Sequence, residues 1–297
     1  DLSDSAGNSA TPDSRSFTKD STAPSLASMT ITNPDPTNST TYGLSYGAET
    51  GTFTEYCWLE NSTNFPDCAG TWVSSSTLPS SVVVSSAENS KSITIWLRDS
   101  AGNVSSAVTS SNSVTLDTTP PVVTLTSFTG GQAFEGGTSQ PITWSASDAH
   151  LGSSPISISS STDSGASWTP IASALSNSGA YSWSLPSSDS ATVRVKVTVT
   201  DTAGNVGEAE SSSDIAIDTT APTFVSAQMK VNGGTSPTLS NYVPVEFEAK
   251  DSAAKVTQYC LKYNSTTAPS AGDSCWVSGS PTSDLVANVD FRLGFSS

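Results

Sequence analysis

Positive charge and histidine are scarce in this sequence. Its 297 residues include 11 Lys and Arg against 27 Asp and Glu, with a single His, for a formal net charge of −16. Nucleic acids and anionic membrane surfaces bind proteins through clustered Lys and Arg, so both are poor partners for such a chain. The sequence also has no run of about 20 apolar residues, the length that a membrane-spanning helix needs. We therefore expect no nucleic-acid partner and no membrane insertion.

The residue types that usually carry catalysis are equally sparse. The one histidine, His150, lies near Asp148 in a predicted solvent-exposed loop, and no Gly-x-Ser-x-Gly motif supplies an activated serine. Carboxylates are spread thinly, whereas glycoside hydrolysis needs two that face each other in a cleft. We predict that the chain is not an enzyme.

What the sequence does contain is a clear period of two. In Val193–Thr200 four valines alternate with Arg, Lys and Thr, a pattern typical of a strand with one buried and one wet face. Asp201–Asn205 then interrupts the pattern with residues suited to a tight reversal, because Gly and Asn tolerate positive φ and Asp can accept bonds from nearby amides. This alternation argues against disorder, although charged residues make up only 13% of the chain and Ser and Thr are abundant.

The same turn and the linker that follows it recur along the chain. The turn motif occurs at Asp4–Asn8, Asp99–Asn103 and Asp201–Asn205, and an Asp-Thr-Thr-Pro-type linker occurs at Asp20–Pro24, Asp117–Pro121 and Asp218–Pro222. Intervals of roughly 100 residues match one β-sandwich domain and are too long for a solenoid repeat. We predict residues 1–20 as the last strand or strands of a preceding repeat, 21–118 as repeat one, 119–219 as repeat two, and 220–297 as repeat three without its last two strands.

Each complete repeat contains about seven short apolar stretches separated by turn residues, with no helical period. The predicted fold class is all-β: tandem Ig-like or fibronectin III-like Greek-key sandwiches in an elongated array. Trp144, Trp168 and Trp183 occupy strand positions where an aromatic ring normally fills the core. Trp96 should instead face solvent with Thr94 and Arg98, because Ile93, Ile95 and Leu97 alternate with it.

The four cysteines form two similar pairs. Cys57 and Cys68 lie in repeat one, and Cys260 and Cys275 occupy equivalent places in repeat three, each pair followed by Trp-Val. This recurrence favours one local disulfide per repeat, which implies an oxidising, extracytoplasmic setting. A metal site is a poorer alternative because no second Cys/His pair has zinc spacing, and buried free thiols are the other alternative.

The combination of this turn and this linker resembles the bacterial Ig-like repeats of large secreted adhesins and surface fibre proteins. The resemblance rests on Asp99–Asn103 with Asp117–Pro121, and on Asp201–Asn205 with Asp218–Pro222. It implies a semi-rigid stalk that takes part in cell-surface attachment, located outside the cell. Its expected partners are adjacent repeats of the same chain and a surface receptor or glycan. Two alternatives stay open: a spacer or carbohydrate-binding module of a secreted polysaccharide-degrading enzyme, and a phage or predator fibre shaft.

Calcium is the one cofactor that the topology suggests. In an Ig-like sandwich the loop after the second strand and the turn between the last two strands lie at one pole, near the preceding linker, and the resemblance implies calcium there. Carboxylates brought together repel each other, and a calcium ion would relieve that repulsion; the alternative is that each Asp only caps its own turn. The candidate ligands are Asp117, Asp148, Asp201 and Asn205 for repeat two, Asp20, Glu49, Asp99 and Asn103 for repeat one, and Asp218 and Asp251 for repeat three.

Overall fold

A computed structural model describes the backbone of residues 5–7, 18–221, 223–224, 230–231, 242–250, 256–260, 276–282 and 284–292, and the side chains of the first two ranges. The chain divides into two compact units, one of Asp1–Thr119 with Thr202–Gly204 and one of Pro120–Asp201 with Asn205–Ser297. Within the described residues the structure is β apart from one helix of four residues. No helix in this part of the chain is long and apolar enough to cross a membrane.

The first unit is built from short strands that follow the predicted apolar stretches. Its elements are β1 (Ser25–Leu26), β2 (Met29–Ile31), β3 (Thr41–Tyr46), β4 (Glu49–Thr50), β5 (Glu55–Glu60), α1 (Phe65–Cys68), β6 (Val73–Ser74), β7 (Ser81–Val83), β8 (Ser90–Lys91), β9 (Ile93–Arg98), β10 (Val108–Thr109) and β11 (Val114–Thr115). The two main sheets have the strand orders β2-β3-β7 and β10-β9-β5-β6, and the pairs β1-β4 and β8-β11 complete the unit.

The core of the first unit lies between its two main sheets. Met29, Ile31 and Tyr42 contribute from one sheet, and Ile93 and Ile95 contribute from the other, all with at most 2% of their surface exposed. The Tyr42 hydroxyl donates to the carbonyl of Val114 at 3.1 Å, so this buried aromatic brings a satisfied polar group into the core.

The second unit begins with a closely similar sandwich. Its strands are β12 (Val122–Leu125), β13 (Ala133–Glu135), β14 (Ser139–Ser147), β15 (Ile156–Ser161), β16 (Thr169–Leu175), β17 (Ala180–Ser184), β18 (Ser190–Thr200), β19 (Val206–Glu210) and β20 (Ile215–Asp218). One sheet has the order β12-β14-β17 and the other β13-β20-β18-β15-β16, with β19 also paired to β18. This all-β, two-sheet arrangement is that of Ig-like and fibronectin III-like sandwiches.

Strand β18 carries the alternation that is most evident in the sequence. Val193, Val195, Val197 and Val199 each have at most 1% of their surface exposed and pack with Ile142 and Trp144 of the opposite sheet. The chain after the turn forms two separate strands along β18. Strand β19 pairs with the second half of β18, and β20 pairs with its first half. The final strand β20 also pairs in parallel with β13, from Ala133 opposite Ala216 to Glu135 opposite Asp218.

Ser211 lies where the chain passes from β19 to β20. It is 1% exposed, and its hydroxyl accepts from the Val195 amide at 2.9 Å and donates to the Phe128 carbonyl at 2.6 Å. Phe128 has a positive φ of 53° and stacks on Phe134 with ring centroids 4.4 Å apart. A buried serine thus provides a hydrogen-bond partner for two buried backbone groups, the Val195 amide and the Phe128 carbonyl.

Further strands follow the second sandwich. They are β21 (Thr223–Phe224), β22 (Lys230–Val231), β23 (Tyr242–Lys250), β24 (Val256–Cys260), β25 (Trp276–Thr282) and β26 (Asp284–Arg292). Strand β23 pairs with β21, with β22 and, along its whole length, with β26, and β24 pairs with β25. Residues 243–249, in which apolar side chains alternate with Pro or Glu, lie within β23. The boundaries of the repeats stay a prediction.

Three expectations about side-chain exposure were wrong. Trp96 is 3% exposed rather than facing solvent, because the sheet is covered on this face too. Trp168 is only half-buried, and the Lys196 Nζ lies 4.4 Å from its ring centroid. It therefore makes a cation–π contact on the outer face of the sheet instead of filling the core. His150 is half-buried rather than exposed. Trp144 and Trp183 are in the core as predicted, with 4% and 8% of their surface exposed.

Candidate functional site

The recurring turn is the first candidate site, because it concentrates polar side chains at one end of each sandwich. In the first unit, Asp99 Oδ1 accepts from the amides of Ala101 and Asn103 at 2.9 Å each, and Oδ2 accepts from Asn103 Nδ2 at 2.8 Å. The Asp99 amide donates to the Asn103 carbonyl at 3.1 Å, and Gly102 between them has φ +87°. The motif thus requires Asp as acceptor, Gly for the positive φ, and Asn as the closing donor.

The second occurrence of the turn repeats these bonds. Asp201 Oδ1 accepts from the Asn205 amide and Oδ2 from Asn205 Nδ2, both at 2.8 Å, and Gly204 has φ +94°. Asp99 and Asp201 are only 7% and 6% exposed. The hydrogen bond from the Asn103 side chain, together with the amides of the turn, holds the pKa of Asp99 below its usual range. Both carboxylates are thus engaged within their own turns.

Most of the other candidate calcium ligands accept hydrogen bonds from amides that are close to them in the sequence. Asp20, Asp117 and Asp218 each accept from the amide two residues on, at 3.0, 3.2 and 2.9 Å, and Glu49 lies exposed on β4. Asp148, in the loop after β14, accepts from the His150 amide at 2.7 Å. The repeat-two set is divided between the units, since Asp117 belongs to the first and the other three to the second. Asp251 lies outside the described residues, and calcium stays a prediction.

The predicted disulfide of the first unit is present. Cys57 of β5 is bonded to Cys68 at the end of α1, with Cα atoms 6.0 Å apart, and both residues are fully buried. Cys275 of the second predicted pair, Cys260 with Cys275, lies outside the described residues.

The disulfide fastens a small second core to the outer face of the sheet. Trp96 packs there with both cysteines, and the Phe65 ring of α1 lies 5.8 Å from the Trp96 ring. Trp72 covers the edge of this group, with the Arg98 guanidinium 4.3 Å from its centroid, and Arg98 also pairs with Glu55. The sheet of the first unit is therefore apolar on both faces, and the disulfide is the covalent tie that keeps the outer cover in place.

The first unit also contains a buried charge. Lys91 is fully buried, and its Nζ donates to Glu60 at 2.5 Å and to the Ser85 hydroxyl at 2.7 Å. Burial alone would raise the pKa of Glu60, but the bonds from Lys91 and Ser85 outweigh it and leave that pKa below its ordinary value. Removal of Glu60 would leave the buried Lys91 charge without its partner, which is strongly destabilising. We assign this pair a structural role.

Comparison with known proteins identifies no family. No protein-family model and no curated protein matches the chain. Among solved structures, the chain is similar to fibronectin(III)-like modules of CbhA from Clostridium thermocellum, with TM-score 0.38, 16% identity, and coverage of 64% of this chain and 94% of that one. It is also similar to the FN1–FN3 domains of chicken CNTN1, with TM-score 0.29, 13% identity, and coverage of 90% and 98%. The fold assignment rests on the sheet orders and cores described above.

Proposed function

We propose that the chain is a structural, non-catalytic repeat region of an exported bacterial surface protein, where it acts as a semi-rigid stalk in attachment. The observation that carries the proposal is the repetition of one complete building block. Each of the two sandwiches has its own closed core, the same Asp-closed turn and the same Asp-capped linker. Repetition of a closed block is suited to setting a distance, whereas a catalytic domain is built around one cleft.

The disulfide supports placement outside the cytoplasm. Cys57 and Cys68 are fully buried and joined, and such bonds persist in oxidising compartments. The net charge of −16 supports solubility at a cell exterior without attraction to anionic lipid.

Small-angle X-ray scattering of the whole chain tests the stalk. Strand β18 of the second sandwich has 11 residues and spans roughly 36 Å at about 3.3 Å per residue, which sets the length of one domain. We expect a maximum dimension of about 100 Å or more. A compact particle would contradict a stalk.

Sedimentation with insoluble cellulose, xylan and chitin tests the carbohydrate-binding alternative. We expect the chain to stay in the supernatant with each polysaccharide. Saturable sedimentation with one of them, lost on Trp72→Ala, would overturn the proposal in favour of a polysaccharide-binding module, since Trp72 is a half-exposed aromatic on the outer face.

A further inference from the structure

The carboxylate of Glu88, which is distant in sequence, accepts hydrogen bonds from the linker where the chain leaves the first unit. Glu88 Oε1 accepts from the Thr118 amide at 3.0 Å and from its hydroxyl at 2.5 Å. The Thr119 hydroxyl donates to both oxygens of the same carboxylate at 2.9 Å each. Glu88 precedes β8, so it is attached to the body of the sandwich rather than to the linker.

The second sandwich holds its own linker in the same way with a shorter side chain. Asp189 Oδ1 accepts from the Thr219 amide at 2.7 Å and from the Thr219 hydroxyl at 2.5 Å, and Oδ2 accepts from the Thr220 hydroxyl at 2.9 Å. The hydrogen bonds from Thr219 are the main reason that the pKa of Asp189 lies below its usual value. Asp189 immediately precedes β18.

The agreement between the two sites points to a shared device rather than to chance contacts. In both, the carboxylate lies 30 residues before the first threonine, and it receives one amide and two hydroxyls. The side chain itself differs, Glu in one and Asp in the other, while the set of donors is kept. Each set of bonds lies wholly within its own unit. Each carboxylate therefore holds the residues that follow the last strand of its own sandwich.

The chemistry accounts for the threonines of the linker motif. A linker residue held only by its backbone could be any amino acid, whereas at both sites the carboxylate accepts from the hydroxyls of two consecutive threonines. Hydrogen bonds to an ionised group are stronger than neutral ones, which helps them to persist at an exposed position. The Asp before the threonines caps the second of them from the other side, at Thr119 and at Thr220.

We propose that each sandwich carries a carboxylate clamp, Glu88 or Asp189, that holds the two threonines of the linker and fixes the direction in which the chain leaves the domain. The clamp is a conformational device and does not depend on what the chain attaches to. It also predicts a sequence pattern, in which an acidic residue lies 30 positions before the first threonine of an Asp-Thr-Thr linker.

The test is amide hydrogen exchange, with ¹⁵N relaxation, on the whole chain carrying Asp189→Ala. We expect the Thr219 amide to exchange about tenfold faster and the order parameters of Thr219 and Thr220 to fall from the rigid range to below about 0.6. The Thr118 amide at the other exit should be unchanged. Glu88→Ala should give the mirror result, faster exchange at Thr118 with Thr219 unchanged, so each variant is the control for the other.

Two further variants separate the clamp from general stability. Asp189→Asn keeps a carbonyl acceptor without the charge, and we expect exchange at Thr219 between that of the parent and that of Asp189→Ala. Asp163→Ala removes an acidic side chain that caps its own loop, and we expect no change at Thr219. Unchanged exchange at Thr219 in Asp189→Ala, or equal acceleration of every amide of the second sandwich, would overturn the clamp.

Discussion

Removing the disulfide of the first unit should destabilise that sandwich alone. The perturbation is the double substitution Cys57→Ala with Cys68→Ala, which removes the covalent tie but keeps small apolar side chains at two fully buried positions. A reducing agent is the poorer perturbation, because it would also act on the predicted Cys260–Cys275 bond.

The magnitude follows from the loop that the bond closes. With a sequence separation of 11, the disulfide closes a loop of about 12 residues, worth roughly 3 kcal/mol in the chain-entropy model. For a domain of about 100 residues, 1 kcal/mol corresponds to about 4 °C in Tm, so we expect a decrease of about 12 °C. Loosening of α1 would also admit water to Trp96, which is 3% exposed when the cover is in place.

Differential scanning calorimetry of the whole chain measures this, together with the emission maximum of Trp96 against a Trp96→Phe reference. We expect only the transition of the first sandwich to move, and the Trp96 emission to shift to the red. The matched control, Cys260→Ala with Cys275→Ala, should leave that transition in place. A decrease of less than about 3 °C in the Cys57/Cys68 variant would refute the reasoning that the bond fastens the outer core.

Three other predictions concern single residues. Ser211→Ala should destabilise the second sandwich by about 1–3 kcal/mol, measured by urea unfolding, because the Val195 amide loses a hydrogen-bond acceptor in a buried site; no loss would contradict this role. Gly102→Ala should cost about 1 kcal/mol through its positive φ alone, since nothing lies within 4 Å of an added Cβ, and Gly102→Asn should cost less; equal costs would argue against backbone strain. Hydrogen bonds from Ser161 and Ser167 lower the pKa of Asp163 to about 2, so the stability that the ionised carboxylate adds is complete above pH 3.8 and is lost as the pH falls through about 2. Tm measured from pH 5 to pH 2 should therefore fall less in Asp163→Asn than in the parent. Parallel plots of Tm against pH for the two proteins would contradict this linkage.

Local periodicity is enough to predict the longer strands of the two sandwiches, such as β18. The valines of β18 point inward as their spacing predicts, because a period of two assigns successive side chains to opposite faces. The turn is equally readable, since Asp, Gly and Asn at fixed offsets encode its hydrogen bonds directly. These features depend on residues that are close in sequence.

Trp96 shows where such reasoning ends. Strand β9 is buried from Ile93 to Leu97, and a period of two assigns one face to solvent. The cover comes from α1, whose position depends on the disulfide and on Phe65, so the error concerned tertiary structure rather than the strand itself. A tryptophan at a position that the alternation assigns to solvent was the available signal.

The linker contacts were out of reach for a similar reason. The Asp-Thr-Thr pattern is conspicuous in the sequence, but its carboxylate partner lies 30 residues earlier and differs between Glu88 and Asp189. No short motif contains both halves of the contact. Only the folded sandwich brings the residue before β8, or before β18, into contact with the threonines of the linker.

The parallel pairing of β13 with β20 has a mechanical consequence. Strand β13 lies near the start of the second sandwich and β20 ends it, and their register runs over three residues from Ala133 opposite Ala216. Because the two strands point the same way, tension applied at opposite ends of the domain slides one along the other. Every bond between them is then loaded in shear at the same moment, instead of one after another as in a zipper. Rupture therefore requires the simultaneous loss of several bonds, and we expect this short ladder to resist stretching of the domain.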